Sequence, residues 1–320
     1  LTTVPPPPPL ADPLGFEEAP AGAHEAAGAI RGRSQWEIFW RRFRRHKLGM
    51  IGLAVLFLIA LAAILVPYIS PYTFNAVDAF HIQEGPSWKH PFGTAELGED
   101  ELTRVLLAGR VSLQVGFLVA LFAGVVGSVL GLVAGYFGGI SDGAIARLTD
   151  LFLAAPVFIV LIAVSIVIGN PGLYPIILIL ALFTWMPLTR IVRASALSLK
   201  EREFVQAARA MGASHRRIIF RHILPNSVAE ITVFTTLTVG IAILTETALS
   251  FLGLGINSAT QVSWGNMLSN QQANVLGGTA WWLTVFPGAF ILVTVLCVNF
   301  IGDALRDALD PYGMAVTSHE

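Results

Sequence analysis

Six long apolar runs alternate with short charged or turn-forming stretches along this chain. They cover residues 48–66, about 112–134, about 151–168, about 173–189, about 231–249 and about 281–301. The first is closed by Pro67, the second is Gly-rich and ends at GYFGG, and an NPG turn at 170–172 parts the third from the fourth. Each run falls in the range of about 17–25 residues that lets a helix cross a bilayer. The pattern predicts an all-α polytopic membrane protein with six transmembrane helices and both termini on one side.

Composition agrees. The chain is 54% apolar with a mean hydropathy of +0.68. Only 13% of its residues are charged, where a soluble domain carries roughly 25%. The net charge of −1 carries little information, because the distribution of Lys and Arg decides orientation. Arg31, Arg33, Arg41, Arg42, Arg44, Arg45 and Lys47 precede the first run, and Arg147 lies between the second and third. Arg190, Arg193, Lys200, Arg202, Arg209, Arg216, Arg217 and Arg221 lie between the fourth and fifth, and Arg306 follows the sixth. The alternate loops hold only Lys89, Arg104 and Arg110. The bias predicts cytoplasmic N and C termini in a plasma (inner) membrane.

The expected organisation follows. A Pro/Ala-rich cytoplasmic tail spans 1–33 and shows no basic-then-apolar signal pattern. An amphipathic segment at 34–47 precedes the first span, and an extracytoplasmic loop covers 67–111. A core at 112–302 contains the other five spans and a cytoplasmic loop at 195–226, and a cytoplasmic tail covers 303–320. In 34–47, Ser34 and Glu37 have capping-box spacing, and Trp36, Phe39, Trp40 and Phe43 recur at i, i+3, i+4, i+7. With Arg41, Arg44 and Arg45 around that stripe, the segment reads as an interfacial helix on an anionic leaflet, or as a plain basic stop-transfer flank.

Catalytic patterns do not emerge. Each of the three lysines lacks the following Ser or Thr of a phosphate-binding loop. His215 and His222 lack a third metal ligand, there is no GxSxG, and the single Cys297 lies in an apolar run as a packing residue. Glu246 is the one acid deep within an apolar run. An intramembrane acid is a functional candidate by default, here for the translocation path, against a hydrogen-bonded role in helix packing. A carrier driven by ions would show several such acids or matched broken helices, so the driving force is expected from another subunit.

The loop at 195–226 is too long and too patterned for a bare connection. Phe204, Ala207, Ala208 and Met211 form an apolar stripe on a helix over 200–211, with Glu203 and Arg209 beside it. Gly212 ends that helix, Ser214 caps a second, and Pro225 is expected to redirect the chain before the fifth span. Small side chains on the first helix let another protein approach closely.

QAARAMG, nine residues, then HILP resembles the coupling (EAA) loop of ABC importer permeases, in which Glu-Ala-Ala, three residues and Gly precede Ile-x-Leu-Pro by nine residues. Ala207, Ala208, Gly212, Leu224 and Pro225 match, while Gln206 stands for the Glu and His222 for the Ile. HPFGTAELGEDELTRVLLAGRVSLQVG, AGYFGG, RLTDLFLAAP, LTETALSFLGLG, SWGNML and GDALRDALDP are similar to the dipeptide/oligopeptide branch, and the basic-flanked first span to its second-permease type. The resemblance implies a type I ABC importer permease fold. It also implies a heterodimer with a sister permease, two cytoplasmic ATPase subunits and an extracytoplasmic solute-binding protein. ATP and Mg would then belong to the partner subunits, with no cofactor and no nucleic acid bound by this chain. Glu203, Phe204, Gln206, Ala207, Ala208, Arg209, Gly212, Leu224 and Pro225 would meet the ATPase. Short peptides are the implied substrate, with nickel chelates or oligosaccharides as the near alternative and a secondary transporter or membrane enzyme as remoter ones.

Overall fold

The computed structural model describes residues 35–73, 76–78, 80–169, 172–256, 261–271 and 280–309. The 1–33 tail, Ser34, most of the NPG turn and the C-terminal end lie outside the described residues, as do 257–260 and 272–279. The long elements among the described residues are helices: α1 Gln35–Arg45, α2 Lys47–Ile69, α3 Glu101–Phe137, α4 Gly139–Ala154, α5 Val157–Ile168, α6 Leu173–Lys200, α7 Glu203–Ala210, α8 His215–Phe251, α9 Trp264–Asn270 and α10 Trp282–Leu309. Five helices (α2, α3, α6, α8 and α10) are long and apolar enough to cross a membrane, and the bent pair α4–α5 makes a sixth crossing if counted as one.

Pro67, expected to close the first span, lies inside α2, which runs on to Ile69, and the fourth, fifth and sixth spans reach beyond their apolar runs, to Lys200, back to His215 and on to Leu309. The second and third spans change form. The second was expected over 112–134 after a loop reaching 111, yet α3 begins at Glu101. Asp100 caps it, accepting from the Thr103 N–H at 2.9 Å and from the Thr103 hydroxyl at 2.7 Å. Arg104 and Arg110 hide these first turns from an apolar-run reading, although the helix is continuous. The third span was expected as a straight helix over 151–168. Instead α4 and α5 meet at 79°. Pro156 bars helical geometry from the residue before it, and Ala155 is extended, with φ −78° and ψ 140°.

Close backbone contact organises the centre. Gly127, Gly131 and Gly135 lie four apart along one face of α3 and meet α6. A Cβ at Gly131 would sit 2.7 Å from the Val192 Cβ and 2.8 Å from the Thr189 carbonyl oxygen, and one at Gly135 would sit 2.6 Å from the Ala196 Cβ. Small residues at this spacing let helices touch where lipid supplies no hydrophobic drive. On α2, Gly49 and Gly52 make the same approach to Ala304 and Cys297 of α10. Helix α8 completes the core between α3 and α10, with Val239 and Ile243 packed beside Leu113, Ala120 and Val298.

Helix α1 lies across the end of α10, burying Phe43 against Ala304 and Ala308. Trp36 stays 65% exposed and Trp40 40% exposed. Arg41, Arg44 and Arg45 are exposed too, with Arg44 held 5.7 Å over the Trp40 ring. His46 separates α1 from α2 and caps α2 by accepting from the Gly49 N–H at 3.0 Å.

Candidate functional site

The hairpin at 201–223 is built by two local signals. Helix α7 ends in a full C-terminal capping motif. Gly212 is in the left-handed region at φ +79°, its N–H reaches the Arg209 carbonyl at 3.0 Å, and the Ala213 N–H reaches the Ala208 carbonyl at 3.0 Å. Ser214 then caps α8 by accepting from the Arg217 N–H at 3.4 Å. The first helix was expected over 200–211. The structure gives Lys200 to α6, turns the chain at Glu201–Arg202, and winds only Glu203–Ala210 as α7.

The face of α7 also differs from the expected stripe. Val205 and Ala208 are buried, and Val205 joins Ile218 and Ile223 against Leu132 and Tyr136 of α3 and Leu188, Val192 and Ala196 of α6. Phe204 (44% exposed), Ala207 and Met211 (82% exposed) face outward instead. Glu203, Gln206 and Arg209 are exposed beside them, with the Gln206 amide donating to Glu201 at 3.3 Å. The short helix thus presents a small apolar patch ringed by polar groups. The expected stripe passed over Val205, and tertiary packing against α3 and α6 buried that side.

Pro225 does not redirect the chain. Residues Ile219–Ile223 wind as a π-turn and lead straight into Leu224–Phe251. A proline inside a helix lacks its N–H and collides with the carbonyl four residues back. The wider turn relieves that collision, and the Asn226 amide donates to the His222 carbonyl at 2.6 Å. Leu224 is half-buried on the hairpin core, and Pro225 is exposed.

Sequence reading missed what anchors the hairpin to the bundle. The buried Tyr136, last but one in α3, places its hydroxyl 2.8 Å from Nδ1 of His215. The Arg209 guanidinium lies 6.0 Å from the centre of the Tyr136 ring. The separation of 79 positions between Tyr136 and His215 hides this pairing from any local pattern. His222 faces elsewhere, its ring 6.3 Å from Phe204, and no metal-ligating cluster occurs among the described residues.

Beyond Tyr136 the chain passes through Gly138 (φ +69°) and Gly139 (φ +56°) into α4. Charge pairs then join α4 to α6. Asp142 takes both a guanidinium Nε and an NH2 of Arg193, the latter at 2.8 Å, and Asp150 meets Arg190 at 2.5 Å.

Glu246 lies at the other end of the bundle, five residues before α8 stops. It is fully buried, and its Oε1 accepts from the hydroxyls of Ser250 and Ser263, each at 2.6 Å. Ser263 opens α9 with a capping box to Asn266. Trp264 follows, donating its backbone N–H to Ser112 at 3.1 Å and its indole N–H to the Val105 carbonyl at 2.9 Å. Gly109 and Gly265 clear the space, since a Cβ at Gly109 would meet the Trp264 ring at 2.8 Å. Glu246 therefore sits in a packing junction of α3, α8 and α9, nearer a helix end than the apolar run implied. It lines none of the described cavities.

A groove of about 680 Å³ opens between α3 and the first half of α8, lined by Leu121, Val125, Ser128, Phe220, Thr232 and Thr235 among others. Its lining carries no charged side chain.

Comparison with known proteins gives a consistent picture. Residues 127–312 match the model of the inner membrane component of binding-protein-dependent transport systems. Residues 34–86 match the N-terminal transmembrane domain of oligopeptide transport permease C. The chain is 41% identical to a dipeptide transport system permease protein of Alkalihalophilus pseudofirmus over 278 residues, 87% of this chain and 90% of that one. It is 40% identical to a glutathione transport system permease protein of Pectobacterium atrosepticum over 87% of this chain and 92% of that one. An oligopeptide transport system permease protein of Bacillus subtilis is 37% identical over 92% and 96%.

Proposed function

The chain belongs to the family of inner-membrane components of binding-protein-dependent transport systems, and on that footing we propose that it is one of two permeases forming the path of an ATP-driven peptide importer. The observation that carries this reading is the α7 patch: Phe204, Ala207 and Met211 lie exposed on a rigidly capped helix whose opposite face is locked into the bundle. Such a patch suits a cleft on a separate ATPase subunit. Nucleotide and Mg belong to that partner in this reading, and this chain contributes no catalytic step.

The basic-residue bias places the hairpin and both termini in the cytoplasm. The loop holding Trp88 and Lys89 then faces outward with the α8–α9 turn, toward a solute-binding protein. Helix α1 lies at the cytoplasmic leaflet, with Trp36 and Trp40 at headgroup depth and Arg41, Arg44 and Arg45 near anionic lipid. A sister permease covers the exposed apolar sides of α4, α5 and α6. The relatives' names motivate short peptides as the substrate, and binding of peptides, nickel chelates and oligosaccharides to the cognate binding protein tests that choice.

The docking is tested by crosslinking. In the assembled complex Ala207→Cys is expected to form a crosslink to the ATPase subunit. Its complete absence in a complex that retains all subunits removes the proposal.

A further inference from the structure

The hairpin must not only meet a partner but also pass its displacement into the bundle. Three contacts at one point fit that task. The Tyr136 hydroxyl and His215 Nδ1 lie 2.8 Å apart, Arg209 lies over the same ring, and the Tyr136–His215 ring pair is edge-on at 5.6 Å. His215 is the first residue of α8 and Arg209 belongs to α7, so both arms of the hairpin converge on one side chain of α3.

What flanks this point gives it leverage. On the hairpin side, the π-turn Ile219–Ile223 interrupts regular winding just after His215. Above it, the open groove parts α3 from α8, with Ile219, Phe220 and Leu224 on one wall and Leu132 and Val133 on the other. On the far side, Gly138 and Gly139 follow one residue after Tyr136, both at positive φ, and a Cβ at Gly139 would meet nothing within 4 Å. Two unencumbered left-handed glycines form a pivot between α3 and α4. Helix α4 is in turn pinned to α6 by the Asp142–Arg193 and Asp150–Arg190 pairs.

We infer that Tyr136 and His215 are positioning residues for transport, forming a strut that carries movement of the α7–α8 hairpin into the end of α3 and, across the Gly138–Gly139 pivot, into the bent crossing α4–α5. The inference rests on the importer reading above and names a route within it. A strut of this kind affects how much transport each hydrolysed ATP yields, not how well the chain folds. The apolar cluster around Val205 and Ile218 holds the hairpin in place without it.

The test uses the complete importer in proteoliposomes, with the sister permease, ATPases and binding protein present. Tyr136→Phe, His215→Ala and the double variant are compared for solute uptake and ATP hydrolysis at matched amounts of assembled complex. Tyr136→Phe keeps the ring and its packing and removes only the hydroxyl. Loss of one polar contact predicts a fall of about threefold to tenfold in uptake per ATP for each single variant. The double variant falls no further, because both changes remove the same bond. An unchanged ratio, or uptake and hydrolysis falling together in proportion, overturns the strut. His215 is exposed, so its variant decides the matter if Tyr136→Phe fails to assemble. The Ala207→Cys crosslink is run on the same preparations. A crosslink with an unchanged ratio overturns the strut and leaves the importer reading intact, and no crosslink overturns both.

Discussion

Glu246 shows how far a single position can be understood. As the only acid deep in an apolar run it stood out at once, but its partners Ser250 and Ser263 are ordinary serines, one of them beyond a turn. Both hydroxyls donate to Oε1, a role that a glutamine carbonyl can fill. Glu246→Gln is therefore expected to leave uptake and stimulated ATP hydrolysis unchanged in reconstituted complex. Glu246→Ala strands the buried Ser250 hydroxyl and leaves Ser263 only Asn266 as an acceptor, at a cost of about 1–3 kcal/mol, read as a lowered melting temperature in detergent. Loss of uptake by Glu246→Gln at normal stability would return this residue to the translocation path. The charges near the span ends were equally visible in the sequence. That Asp150 pairs with Arg190, and Asp142 with Arg193, was not, because the partners lie 40 and 51 positions apart.

Among the helices, legibility tracked how local the controlling signal is. The α7 terminus was readable because Gly212 and Ser214 act on their immediate neighbours. The start of α3 was equally local in its Asp100 cap, but a scan for apolar runs discards its first eleven residues. The bend between α4 and α5 had its signal in Pro156, submerged in a continuous apolar stretch. The α3–α6 contact illustrates the opposite case, since the glycine spacing along α3 suggests a close approach while the identity of the partner comes from the tertiary fold alone. Gly131→Ala forces a methyl group to within 2.7 Å of the Val192 Cβ and 2.8 Å of a carbonyl oxygen. Overpacking of this order costs about 1–3 kcal/mol, and earlier unfolding or proteolysis of the purified complex is the expected result. Wild-type stability would mean that α3 and α6 separate at little cost.

For the whole molecule, orientation is the property on which every functional assignment depends, and it can be measured directly. Trp88 is fully exposed in the loop before α3, Met211 is 82% exposed on the hairpin, and the native Cys297 is only 5% exposed. An impermeant thiol reagent applied to intact cells should label Trp88→Cys and spare Met211→Cys, with little background from Cys297. Permeabilised cells should show both. The reversed pattern would invert the molecule and remove the hairpin from any cytoplasmic partner.

The bend at Ala155–Pro156 bears on how this protein is made. Helix α5 has twelve residues, a rise of about 18 Å, well short of a hydrocarbon layer about 30 Å thick. Emerging from the ribosome, it is too short to settle across the bilayer by itself, and α4 bends away instead of extending it. In the proposed orientation its retention is expected to wait for α6, whose Arg190, Arg193 and Lys200 would anchor the cytoplasmic side and whose first two arginines pair with the carboxylates of α4. Biogenesis of this crossing is thus a delayed, pairwise event, in which a later segment fixes the lodging of an earlier one.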